Sequence, residues 1–133
     1  MWVSYFRWGM LLAALLLGCG AYEADNQAMV AQIFPKDAHA MFVNNQAVII
    51  DVRENSEWEE KHIPGAIHMP LGELQGRLTE LASYKNTPLI ILCQRGGCPA
   101  KAAAIMGAAR FARLLNLEGG LMAWERAGLE ITR

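Results

Sequence analysis

The chain has 133 residues, a length that fits one domain and excludes a multidomain enzyme. Hydrophobic residues make up 53% of it and charged residues 19%, which suits a folded core and excludes a disordered chain. Twelve Lys and Arg against 13 Asp and Glu give a net charge of −1, which argues against nucleic acid as a partner. Three cysteines are too few for a disulfide scaffold: Cys19, Cys93 and Cys98.

The N-terminal segment has a charge followed by a long apolar run. Arg7 is followed by unbroken apolar residues from Trp8 to Leu17, as in the n-region and h-region of a signal peptide. The run ends at a small residue and then Cys19, which resembles the lipobox of bacterial lipoproteins. The sequence therefore predicts a lipoprotein-type signal peptide at residues 1–18, with lipidation at Cys19.

Two other interpretations of this segment stay open: an ordinary cleaved signal peptide, and an uncleaved membrane anchor of roughly 20 residues. All three export the domain, which predicts a periplasmic protein. Lipidation at Cys19 also predicts that it is held at the membrane by its N-terminus, as an uncleaved anchor would. Gly20 follows Cys19, at the position where an aspartate usually retains enterobacterial lipoproteins at the inner membrane. The outer membrane is therefore favoured. The small and polar residues 19–27 are interpreted as a tether, and residues 28–133 as the domain.

Helical and strand patterns alternate along the rest of the chain. Leu89–Leu92 is an apolar run without alternation, typical of a strand buried on both faces of a parallel sheet. Strands separated by helices require crossover connections, so we predict an α/β domain with a central parallel sheet and helices on both faces. The predicted helices are 28–34, 36–43, 55–61, 71–84, 99–112 and 121–126, and the predicted strands are 47–52, 67–70, 89–92 and 114–117.

Cys93 lies between a predicted strand and a helix that begins at Pro99. Ligands of parallel sheets bind beyond the carboxyl ends of the strands. The helix N-terminus favours an anion, so we expect the pKa of the Cys93 thiol to lie below its ordinary value, with help from Arg95. Gly96 and Gly97 can turn backbone N–H groups toward the sulfur. Cys93 is therefore predicted to be a nucleophile.

Five segments, matching in order and spacing over residues 28–131, together resemble the rhodanese family. They are DVRE from Asp51, Trp58, HIPGAIHMPL from His62, LIILCQRGG from Leu89 and NLEGGLMAW from Asn116. The resemblance implies a rhodanese-like three-layer fold and a sulfurtransferase that takes sulfane sulfur from a donor such as thiosulfate as a persulfide on Cys93. A thiol or a cyanide-like acceptor then receives the sulfur. The implied substrate-binding residues are Gln94, Arg95, Gly96, Gly97 and Cys98.

Three loop residues depart from the pattern of many thiosulfate-using rhodaneses. Gln94 stands where arginine is common, Cys98 stands where a second arginine is frequent, and Arg95 moves the positive charge to another position. The identity of the donor therefore stays open.

Two alternative functions also stay open. Cys98 follows Cys93 by five residues in a chain predicted to be exported, so the two form a candidate thiol–disulfide redox pair. A non-catalytic binding module with the same fold is the other alternative.

Other polar residues are interpreted as structural. We expect His62 to order the Pro-Gly connection by hydrogen bonding. Asp51 ends a predicted strand, and the resemblance implies that it organises its neighbouring backbone and Arg53. The cysteines and scattered histidines do not reproduce a zinc spacing, so neither a metal site nor a cofactor is predicted.

Overall fold

The computed structural model describes residues 30–94 and 99–133. The predicted signal peptide, the tether and lipidation of Cys19 lie outside the described residues. The same holds for four of the predicted loop residues: Arg95, Gly96, Gly97 and Cys98.

Within the described residues, five parallel strands form one sheet. The strands are β1 (Ala31–Ile33), β2 (Val48–Asp51), β3 (Ile67–His68), β4 (Leu89–Leu92) and β5 (Leu114–Leu117). The helices are α1 (Pro35–Val43), α2 (Asn55–Glu60), α3 (Leu71–Arg77), α4 (Pro99–Ala108) and α5 (Gly120–Arg126), and a 3-10 helix at Leu78–Tyr84 follows α3 directly. The strand order is β1-β5-β4-β2-β3, and every pair is parallel. The central position of β4 agrees with its unbroken apolar sequence.

Alternate side chains of the central strands enter two separate cores. Ile50 and Ile91 pack on the face that α3, the 3-10 helix and α4 cover. Ile49 and Ile90 pack on the opposite face, against α1 and against Trp124 of α5. Each face excludes water by side-chain packing, so the sheet is buried on both sides. The prediction of an α/β fold with a parallel sheet between two helical layers is confirmed.

The prediction of a helix at residues 28–34 was wrong. Ala31–Ile33 forms the edge strand β1, which pairs with Leu115–Leu117 of β5. Alanine and glutamine favour a helix locally, but pairing with β5 gives this short segment backbone partners that its own sequence does not reveal.

The predicted helix at 71–84 is also divided in two. Its second half is the 3-10 helix, in which Leu78, Leu81 and Tyr84 recur every three residues and pack against one core. This spacing matches the three residues per turn of a 3-10 helix. No helix among the described residues is long and apolar enough to cross a membrane.

Candidate active site at the carboxyl end of the sheet

Cys93 directly follows β4 and is 5% exposed. The backbone of α5 holds this segment from the side: the Leu121 amide donates to the Cys93 carbonyl oxygen at 2.9 Å, and the Met122 amide donates to that of Gln94 at 3.4 Å. The cysteine is therefore fixed by a strand on one side and by the first turn of a helix on the other. It lies at the carboxyl edge of the sheet, the place predicted from the sequence.

Gly120 makes this close contact possible. Its φ is +60°, and a Cβ built on it would lie 2.3 Å from the Cys93 carbonyl oxygen. Any side chain would therefore collide with the backbone of the segment that carries the cysteine. In the sequence, the adjacent pair Gly119 and Gly120 suits an ordinary turn. The structure gives Gly120 a direct part in forming the site.

A buried ion pair organises the neighbouring strand end. Asp51 is the last residue of β2 and is fully buried, and Arg53 is 3% exposed. The Arg53 guanidinium donates to both carboxylate oxygens of Asp51, at 2.8 to 3.1 Å, and its backbone amide donates to the same carboxylate at 3.0 Å. This confirms the structural role predicted for Asp51. A buried charge pair of this kind needs both partners, because either one alone would be an uncompensated charge.

Arg53 also reaches three other segments. Its Nη1 donates to the Glu57 carbonyl at 3.3 Å and to Oε1 of Gln94 at 3.4 Å, and its Nη2 donates to the Lys61 carbonyl at 2.9 Å. The contact with Gln94 connects β2 to the residue that follows Cys93. The sequence offered one signal for this arrangement, an arginine two residues beyond an aspartate that ends a strand.

Two imidazoles stack against Trp58 beside this network. The centroid of the Trp58 ring lies 3.8 Å from the centroid of the His62 ring and 4.6 Å from that of the His68 ring. Both imidazoles are nearly parallel to the Trp58 ring. His62 Nδ1 hydrogen-bonds to the Trp58 carbonyl at 2.8 Å, and His68 Nε2 to the Arg53 carbonyl at 2.8 Å. His62 therefore orders its connection by hydrogen bonding, as predicted, whereas the stacking was not foreseen.

A second ion pair lies near this network. Lys61 Nζ lies 2.8 Å from a Glu125 carboxylate oxygen, which joins the end of α2 to α5. Within residues 30–94 and 99–133, no three His, Cys, Asp or Glu side chains form a group that could hold a metal ion. The predicted redox pairing of Cys93 with Cys98 cannot be placed, because Cys98 lies outside the described residues.

The fold and the site together define an α/β domain with a buried cysteine at the carboxyl end of its central strand. Residues 34–127 match the family model of the rhodanese-like domain. YrkF of Bacillus subtilis (strain 168) is 31% identical over 117 residues, which cover 87% of this chain and 62% of YrkF. The chain thus spans less than two thirds of that relative's length.

One further relative and one solved structure are also similar to this chain. A protein of Allochromatium vinosum named Sulfurtransferase is 32% identical over 84 residues, which cover 63% of this chain and 77% of that protein. The rhodanese-like domain of the Anabaena sp protein Alr3790 is alike in fold, with a TM-score of 0.68 at 24% identity over 78% of this chain and 80% of that domain. The chain belongs to the rhodanese family, and proteins named as sulfurtransferases are among its relatives.

Proposed function

We propose that this chain is a sulfurtransferase in which Cys93 carries sulfane sulfur as a persulfide. The observation that carries the proposal is the position of Cys93 at the end of the buried central strand, with its carbonyl oxygen held by the first turn of α5. Membership in the rhodanese family and a relative named Sulfurtransferase support it. Five residues are proposed to surround the transferred sulfur: Gln94, Arg95, Gly96, Gly97 and Cys98.

The reaction proceeds in two displacements. With thiosulfate as the donor, the Cys93 thiolate attacks the outer sulfur, an S–S bond to Cys93 forms, the S–S bond of thiosulfate breaks, and sulfite leaves with the electron pair. An acceptor such as cyanide or a thiolate then attacks the terminal sulfur. Thiocyanate or a new persulfide is released, and the Cys93 thiolate returns. Because the attacking group is already an anion, neither step needs a general base.

Steady-state turnover tests this proposal. The reduced chain is supplied with cyanide and, in turn, with thiosulfate, mercaptopyruvate and inorganic polysulfide, and thiocyanate is measured. We expect thiocyanate above the protein-free background with at least one donor, complete loss of this excess with Cys93→Ser, and its retention with Cys98→Ser. Equal turnover by a folded Cys93→Ser variant, or no turnover with any donor, would contradict the proposal. Loss in both variants would instead favour a Cys93–Cys98 redox pair.

We also propose that the chain is exported and held at a membrane through a lipid on Cys19. The pattern of Arg7, the apolar run and Cys19 supports this location. Cells that express the chain are grown with radiolabelled palmitate, and the protein is recovered from separated inner and outer membranes. We expect label on the wild-type protein and none on Cys19→Ser. Label that survives this substitution would contradict lipidation at Cys19.

A further inference from the structure

The hydrogen bonds of Arg53 determine what this side chain can do. A guanidinium has five N–H groups and no acceptor. The Asp51 carboxylate takes Nε–H and one N–H of Nη2, the Lys61 carbonyl takes the other, and Nη1 donates to the Glu57 carbonyl and to Gln94. Each N–H group therefore has an acceptor among the described residues. Arg53 is also 3% exposed, so it does not act by binding a donor anion directly.

The same chemistry fixes the orientation of Gln94. Because a guanidinium only donates, the carbonyl oxygen of the Gln94 amide must face Arg53, as the 3.4 Å contact shows. The amide nitrogen, on the opposite side of the same carbon, then points away from Arg53. The backbone of Gln94 is held as well, since its carbonyl oxygen accepts from Met122. Gln94 is thus restrained at both its backbone and its side chain, directly after Cys93.

We propose that Arg53 is a positioning residue for sulfur transfer: it holds Gln94 so that the amide N–H groups stabilise the sulfur carried at Cys93. This inference rests on the proposed function, because it assigns to Gln94 a donor role toward the persulfide. It also explains why a neutral glutamine can work at this position. An amide accepts from the Arg53 guanidinium on one side and donates on the other.

A double-mutant cycle tests the proposal through two readouts on the full chain. The first is the single-turnover rate of sulfur loading on Cys93 from a saturating donor. The second is the rate of Cys93 alkylation by iodoacetamide, which needs no sulfur binding. We expect Gln94→Met to slow loading about tenfold, because it removes one hydrogen bond to a charged group. The same variant should change the rate of alkylation by less than about twofold.

The Arg53→Lys variant keeps a cation beside Asp51 but lacks the planar guanidinium that also donates to Gln94. We expect it to slow loading as much as Gln94→Met, and the double variant to slow it no further, because the two residues act in series. Gln75→Met, at an exposed glutamine of α3, is the matched control and should load at the wild-type rate. Effects that multiply in the double variant, or alkylation that falls as far as loading, would overturn the proposal.

A measurement on the wild-type protein covers the case in which Arg53→Lys fails to fold or no donor loads sulfur. The side-chain amides of Gln94 and Gln75 are compared by ¹⁵N relaxation. We expect the Gln94 amide to be nearly as rigid as the backbone, with an order parameter of about 0.8, and that of Gln75 to lie below about 0.6. Equal mobility would overturn the positioning role whatever the outcome for sulfur transfer. A rigid Gln94 in a chain that loads no sulfur would refute the proposed function and leave the Arg53–Gln94 contact intact.

Discussion

A position with a left-handed backbone angle lies at each end of the sheet, and the two positions differ in which amino acids they accept. At the carboxyl end, Gly120 has φ +60° and leaves no room for a Cβ beside the Cys93 carbonyl. At the amino end, Arg110 has φ +66° and is exposed. Glycine is required where the backbone of the site makes a close contact. Where the chain only turns away from a helix, a larger residue is tolerated at the cost of some strain.

Two ion pairs, one beside the site and one outside it, differ in how deeply they are buried. The Asp51–Arg53 pair beside Cys93 has side chains that are 0% and 1% exposed. The Arg77–Glu80 pair, outside the site, has side chains that are 35% and 53% exposed. Removing a partner from the first leaves a buried charge, whereas water replaces a lost partner in the second. The comparison therefore predicts that stability and site geometry depend together on a few buried contacts.

The largest effect is expected for Asp51→Asn. The substitution keeps the shape of the side chain and leaves the Arg53 cation buried without its anion, so the free energy of unfolding should fall by about 3–5 kcal/mol. Urea denaturation measures this change. Asp37→Asn, at an acidic residue in the exposed first turn of α1, is the control and should cost at most about 1 kcal/mol through the helix dipole. Equal losses for the two variants would show that burial of the pair does not matter.

Gly120→Ala should be the next most damaging change. Position 120 has a left-handed backbone angle, and the new Cβ would collide with the backbone of Cys93 and Gln94. We therefore expect the free energy of unfolding to fall by about 2–4 kcal/mol and the alkylation of Cys93 to become much slower. Gly72→Ala is the matched control, because nothing lies within 4 Å of a Cβ at that position of α3. It should stabilise the protein by about 0.5–1 kcal/mol. A Gly120→Ala protein as stable as wild type would refute the close contact.

At the amino end of the sheet, Arg110→Gly should stabilise the chain. The Arg110 amide donates to the Gly107 carbonyl and the Phe111 amide to that of Met106, the two hydrogen bonds of a Schellman motif that favours glycine at the left-handed position. Relief of strain should raise the free energy of unfolding by about 0.5–1 kcal/mol in denaturant titrations. Arg113→Gly, at an exposed residue without positive φ, is the control and should give no gain. A loss at Arg110 would contradict this explanation.

The smallest effect is expected for Glu80→Gln. The hydrogen bond from Arg77, reinforced by its charge, lowers the pKa of the Glu80 carboxyl. A carboxyl with a lowered pKa contributes stability above its unfolded pKa and loses that contribution as the pH falls through the folded pKa. The variant should therefore melt slightly below wild type at neutral pH and together with it in acid, as followed by circular dichroism. A difference that grows in acid would reverse the sign of this argument.

The order of most elements could be predicted from the sequence, because apolar runs and helical periodicity are local signals. One exception depends on a long-range strand pairing and the other on a local backbone angle. Ala31–Ile33 is a strand through its pairing with β5, more than 80 residues later. The fourth helix ends at Ala108 and not at residue 112, because Arg110 takes the left-handed angle that ends it. Local propensity contains neither fact.

The site shows the same limit. The position of Cys93 followed from a buried strand that precedes a helix start, and the role of Asp51 followed from the family resemblance at a strand end. The contact between Arg53 and Gln94 joins residues 41 positions apart and could not be predicted. Nor could the proximity of Gly120 to the Cys93 carbonyl, since a glycine pair also suits an ordinary turn. Such contacts become visible only when the strand order is known.

Intact mass spectrometry after sulfur loading tests the central claim most directly. The reduced and desalted chain is incubated with thiosulfate or inorganic polysulfide beside its Cys93→Ser and Cys98→Ser variants. The account predicts a gain of one sulfur atom that disappears with Cys93→Ser and persists with Cys98→Ser, and that cyanide then removes. A chain that instead loses two hydrogens, gains no sulfur and stays unchanged in mass in both variants would contradict the persulfide carrier and identify a redox pair.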